Sequence, residues 1–114
     1  MTGKDNMCAA LSAQGALQIP AVICYEGIYV RDHWRQLTAC PWWYRFSPDI
    51  AQQVAWRRDA IAATGQDWLH LPRVWPRARR RHLRIAERAG GVYRVDTRSG
   101  DGERLTEPAT SGWT

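Results

Sequence analysis

Glu26 and His33, a carboxylate and an imidazole, follow directly on the apolar run 19–25 and bracket Arg31 and Asp32. Side chains of this kind at the end of a buried strand could move a proton or orient a substrate. The same residues also suit a solvated helix start, with the acid favouring the N-terminal dipole and Arg31 pairing with Glu26. A second constellation lies in Pro76–Arg84, PRARRRHLR. Clustered guanidinium groups such as Arg79, Arg80 and Arg81 neutralise phosphates and release counterions, and Trp68 and Trp75 stand near enough in sequence to stack on bases. No named nucleic-acid motif accompanies them. A solvated basic connector is the competing reading.

Charge supports treating that run separately. The 114 residues carry 16 Lys and Arg against 11 Asp and Glu, a net +5. From Arg73 to Arg88 the sequence holds many arginines and a single acid, Glu87, whereas the rest is close to neutral. Tryptophan is the other excess, seven against one Phe. Trp42-Trp43-Tyr44 could wall a binding site or pack a connector onto a helix. His70 alternates with Trp68 and reads as a hydrogen-bonded core histidine; His82, inside the arginine run, reads as exposed.

Cys8, Cys24 and Cys40 stand far apart, with no CxxC pair and no Cys/His spacing for zinc. Cys24, in an apolar run, is expected to be a small buried hydrophobe. The polar stretch Met1–Asn6 has no signal-like apolar region, and no stretch approaches the ~20 apolar residues of a membrane helix. A cytoplasmic location is expected.

Residues 4–14 read as a short helix capped by Asp5 or Asn6, with Met7, Ala10 and Leu11 as its stripe and Gly15 as its stop. Residues 19–25, IPAVICY, have the length and β-branched content of a strand buried on both faces, as a parallel sheet requires. A helix is expected from Arg31 to Thr38, closed by Pro41. Ser47-Pro48-Asp49 signals the start of a helix running to Ala63 or Thr64, with Gly65 as its C-terminal cap. On that helix Ile50, Val54 and Ile61 should face the core and Gln52, Gln53 and Arg57 should face away. Residues 67–71, DWLHL, read as a second strand. HLRIAER, GVYRVD and ERLTE, separated by Gly-rich turns, read as an antiparallel meander, in which Gly90-Gly91 is turn chemistry. The organisation is therefore β/α units over 1–75, a basic connector and meander over 76–108, and a tail over 109–114.

The segments IPAVICYEGIYVRDHWRQLT, PWWY, SPDIAQQVAWRRDAIAATGQDW and LRIAERAGGVYRVD…GERLTEP together resemble the opening of the uroporphyrinogen decarboxylase superfamily. That superfamily includes tetrapyrrole decarboxylases and methyltransferases serving corrinoid proteins and coenzyme thiols. The resemblance covers about 6–108 and implies the N-terminal, incomplete part of a (β/α)₈ TIM barrel, an α/β fold, with the antiparallel meander inserted. It places Tyr25, Glu26, Tyr29, Arg31, Asp32 and His33 at the rim of the barrel cavity, Glu26 and His33 as catalytic groups and the others against substrate. The decarboxylases carry two arginines in a motif reading MRQAGR; the corresponding positions here are Tyr25 and Tyr29, which cannot form a charged fork to a carboxylate. Their aspartate in FSDI is replaced by LPRV at 71–74. The resemblance thus implies a methyltransferase-like enzyme, or a relative of the decarboxylases, acting on a small molecule, with a corrinoid protein as an expected partner. It implies zinc, if any, only in a longer parent, no cofactor or metal within this chain, no membrane or nucleic acid, and no activity for the portion alone. The competing expectation is a small basic module holding RNA or another polyanion through Arg79–Arg81.

Overall fold

In a computed structural model, which describes residues 2–67 and 74–110, Thr2 starts the first helix. Its hydroxyl accepts the Asp5 N–H at 3.1 Å while the Asp5 carboxylate accepts the Thr2 N–H at 2.9 Å. This reciprocal capping box opens α1, Gly3–Ala10. The helix is shorter than 4–14, and Asp5 and Asn6 lie in its first turn instead of capping it. Its expected stripe is not a core face either, since Leu11 is exposed and Asn6 is the buried side chain.

Residues 19–25 do not form the expected interior strand. The segment has no strand assignment, and Ile19 is 92 % exposed. Its contacts are those of a strap: the Ala21 carbonyl accepts the Asp67 N–H, the Ala21 N–H bonds the Asp67 carboxylate at 2.7 Å, and the Ile23 N–H bonds the Gln66 side chain at 3.2 Å. An interior strand needs paired neighbours for its backbone groups and covered faces for its side chains. Among the described residues this segment has neither, so its apolar character alone does not make it a strand. Cys24 is correspondingly exposed and not buried. Of the second expected strand, 67–71, Asp67 is a bend and the remainder lies outside the described residues, as does His70.

The core is built where helices carry tryptophan. α2 spans Glu26–Leu37, starting earlier than Arg31, and kinks at His33. A 3₁₀ turn, Trp42–Phe46, leads to α3, Ile50–Thr64. Val30, Trp34 and Leu37 of α2 pack on Trp56 and Ala60 of α3, with the Trp34 and Trp56 ring centroids 5.1 Å apart. Trp42 and Tyr44 pack against this cluster, and the Trp34 indole N–H bonds the Cys40 carbonyl at 2.8 Å. The connector aromatics are therefore largely packing residues, with Trp43 treated below.

The buried stripe of α3 is Gln53, Trp56, Arg57 and Ala60, and not Ile50, Val54 and Ile61. Ile50 and Val54 are exposed. Trp56 sets the rotation because its ring buries far more apolar area than either aliphatic side chain. The polar members of the stripe are satisfied. The Gln53 amide donates to the carbonyls of Arg45 and Ser47, both at 2.9 Å, and accepts the Trp56 indole N–H at 3.1 Å. The Arg57 guanidinium lies 4.2 Å from the Trp56 ring centroid. Asp49 rather than Ser47 caps α3, accepting the Ala51 N–H at 2.8 Å, and Ser47 in turn accepts the Asp49 N–H at 3.0 Å. Gly65 ends the helix at φ 65°, as expected of a residue without a Cβ.

After the short helix α4, Arg77–Arg80, the chain forms the meander: β1 Leu83–Arg88, β2 Gly91–Asp96 and β3 Gly102–Leu105. The order β1-β2-β3 is antiparallel throughout, with Arg88 opposite Gly91 and Val95 opposite Gly102. This register puts Leu83, Ile85, Val92 and Leu105 on one face. Leu83 and Leu105 are buried there. Arg94, on the same face, is paired with Glu103 and lies 4.4 Å from the Trp75 ring centroid.

The described architecture is thus four helices and one small three-stranded antiparallel sheet, a mixed α/β arrangement. It contains no parallel strand pair among the described residues, which corrects the expectation of a (β/α)₈ TIM-barrel opening. The radius of gyration is 17.3 Å, against about 13 Å for a compact domain of this length. No helix among the described residues is long and apolar enough to cross a membrane.

Candidate anion-binding site

The structure divides the residues after the apolar run instead of converging them. Tyr25, at the entrance to α2, takes φ 54°, a left-handed conformation that costs an aromatic residue roughly 1–2 kcal/mol, and it is mostly exposed. Glu26 follows in the first turn of α2, within electrostatic reach of Arg57. Burial holds the Arg57 guanidinium below its ordinary value; Glu26 acts in the opposite sense and Arg45 reinforces the lowering. Arg45 is itself lowered by burial and then by Arg31, and it donates to the Gly27 carbonyl at 3.0 Å.

Asp32 turns to its neighbour: Arg31 Nε donates to it at 2.8 Å. That bond holds the Asp32 carboxyl below the usual carboxylate range and raises Arg31. His33 sits at the kink, with its ring centroid 4.5 Å from Tyr29 and Nδ1 2.8 Å from the Gln36 side-chain oxygen. Arg31, Asp32 and His33 border a small cavity of about 150 Å³ with Arg45 and Glu107; Tyr25, Glu26 and Tyr29 do not line it. Of the expected acid–base pair, His33 borders this cavity and Glu26 does not. Among the described residues no group of His, Cys, Asp and Glu could hold a metal ion.

A larger concavity, about 560 Å³, lies where the start of α3 meets α4 and β1. Arg77, Arg80, Arg81 and Arg84 line it together with Trp43 and Asp49. Ile50 and Ile85 add apolar surface to its walls. The local sequence explains the alignment. Arg77, Arg80 and Arg81 are spaced three and four apart, so one turn of helix brings them to one face. Arg84 is the second residue of β1 and lines the same groove.

Charge in this groove is one-sided. Among the described residues none of the four arginines forms an ion pair with a carboxylate. The one acid in the lining, Asp49, is engaged in capping α3. Backbone contacts fix two of the cations: Arg80 Nε donates to the Trp75 carbonyl at 2.9 Å, and an Arg84 terminal nitrogen donates to the Leu83 carbonyl at 2.8 Å. Arg81 Nε lies 3.1 Å from His82 Nε2, which accepts the bond when the imidazole is neutral. Burial lowers the His82 pKa, and Arg98 and Arg81 lower it further.

Of the arginines singled out in the sequence, Arg80 and Arg81 belong to the groove and Arg79 does not line it. Its guanidinium is 6.0 Å from the Trp75 ring centroid. Arg77 and Arg84 are members that the consecutive triplet concealed. The i, i+3, i+4 spacing was the signal for Arg77, whereas Arg84 and Trp43 are brought in only by tertiary structure. No family model, curated protein or solved structure matches this chain.

Proposed function

We propose that this chain is a cytoplasmic module that binds a polyanion through Arg77, Arg80, Arg81 and Arg84. The observation that carries the reading is four guanidinium groups lining one groove against a single carboxylate, Asp49, with none of the four in an ion pair among the described residues. Like charges brought this close repel, and a bound phosphate chain removes that repulsion while releasing its own counterions. Arg77, Arg81 and Arg84 are exposed, as in a solvated connector, but they line one concavity with Arg80 and are open to a ligand there. The free thiols of Cys8, Cys24 and Cys40 suit a reducing compartment. The test is binding of the purified chain to inorganic polyphosphate and heparin at low salt, with Arg80→Ala/Arg81→Ala beside the wild type. Binding that weakens with salt and collapses in the double variant supports the function; no binding at low salt removes it.

A second reading, in which the chain works as part of a larger superfamily-type enzyme acting on a methylated or carboxylated small molecule, is favoured by a different observation. Leu17 and Ile19 are 95 % and 92 % exposed, and Leu11 and Tyr25 are mostly exposed beside them. Apolar surface of this kind is normally covered by further protein. On this reading the chain alone turns over no such substrate, and Glu26→Gln abolishes turnover in the larger protein, where Leu17 and Ile19 are covered. Turnover by the isolated chain, or full activity of the variant in the larger protein, would sink it.

A further inference from the structure

We infer that the ligand unit recognised by the arginine groove is a nucleotide, its base stacked on Trp43 and its phosphate on the arginines. This inference rests on the polyanion reading and adds a substrate class to it. The two tryptophans nearest the basic run are not equivalent. Trp75 already carries two cations, Arg94 at 4.4 Å and Arg79 at 6.0 Å from its ring centroid. Those contacts take up ring surface that a base would need. Trp43 lines the same groove as the arginines, and its aromatic neighbour is Tyr44, in an edge-on contact at 4.8 Å. Among the described residues no guanidinium lies over it.

The lining is therefore amphipathic: an indole with Ile50 and Ile85 beside four guanidinium groups and the capping carboxylate of Asp49. A featureless anionic chain would satisfy the charged side and leave the aromatic side wet. A base joined to a phosphate satisfies both, because every base offers a π-face and stacking is tolerant of base identity. Size points the same way. About 560 Å³ is within the range of sites for single small molecules. The helix that carries the arginines, α4, is a single turn of four residues, too short to read a duplex major groove as a recognition helix does. The chemistry common to a free nucleotide and one unit of a single strand is what this groove fits.

The experiment measures binding of the full chain to a labelled single-stranded RNA, to ATP and to inorganic polyphosphate, for wild type, Trp43→Leu, Trp43→Phe and Arg80→Ala/Arg81→Ala. Expected is a loss of about tenfold in RNA or ATP affinity for Trp43→Leu, recovered largely by Trp43→Phe, with polyphosphate affinity unchanged. Competition by ATP identifies the free nucleotide as the source, and binding of RNA that ATP does not displace identifies the strand. Thermal melts by circular dichroism verify folding, and Trp43→Phe keeps the test informative if the leucine variant unfolds. Equal loss of RNA and polyphosphate binding in the arginine variant, with none in either Trp43 variant, overturns the nucleotide inference and leaves the polyanion function standing. Absence of binding to all three probes overturns both.

Discussion

Replacing Arg80 and Arg81 together by alanine is expected to flatten the salt dependence of single-strand binding by about half. Four arginines line the groove. If each neutralises one phosphate, the logarithm of affinity falls with the logarithm of salt with a slope of about −0.7 per contact, or about −2.8 for the site. Between 50 and 200 mM salt, wild-type affinity then falls roughly 50-fold. Two fewer contacts bring the slope to about −1.4 and the loss to roughly sevenfold. Fluorescence anisotropy of a labelled oligonucleotide over that salt range measures both. Arg35→Ala is the control: this arginine is highly exposed, pairs with Glu107 and does not line the groove, so its removal should leave the slope unchanged. A slope indifferent to Arg80 and Arg81, or one that moves equally with Arg35, would refute the assignment and reduce the binding to diffuse attraction by net charge.

Trp56→Ala is expected to cost about 3–5 kcal/mol, enough to abolish a cooperative thermal transition in a chain with so small a core. Gly3→Ala forces a Cβ to within 2.4 Å of the Asp67 carbonyl oxygen, so α1 must lift from the 66–67 segment; amide exchange in α1 should accelerate with little change in the global melt. Leu17→Ser/Ile19→Ser should alter stability by no more than about 0.5 kcal/mol while reducing binding of a hydrophobic dye, because both side chains are solvent-exposed. His82 has a folded pKa below its ordinary 6.5, so the folded state resists its protonation. Its contribution to stability is complete above the ordinary value and is lost as pH falls through the lower, folded one. The urea midpoint should accordingly drop on acidification in this window, and His82→Gln should lessen the drop; an identical drop would show that other groups govern it.

Local signals survived where a few neighbouring residues decide the outcome. The Gly-rich turns and alternating β-branched runs determined the meander, because hairpin register depends on residues a short way apart. Ser47-Pro48-Asp49 and Gly65 located α3 to within three residues at its start and set its end, because capping is a backbone matter of adjacent positions. The basic run and its arginine spacing were also present in the sequence. Partnership was not. Residues 19–25 have strand composition, but a strand exists only when another backbone accepts its hydrogen bonds, and here the Ala21 and Ile23 N–H groups donate to the side chains of Asp67 and Gln66 instead. The rotation of α3 followed Trp56 meeting Trp34, a contact between separate helices that periodicity of Ile50, Val54 and Ile61 cannot contain. The site itself belongs to tertiary structure for the same reason: Trp43 and Arg84 are far apart in sequence and line one groove only after α3, α4 and β1 are packed.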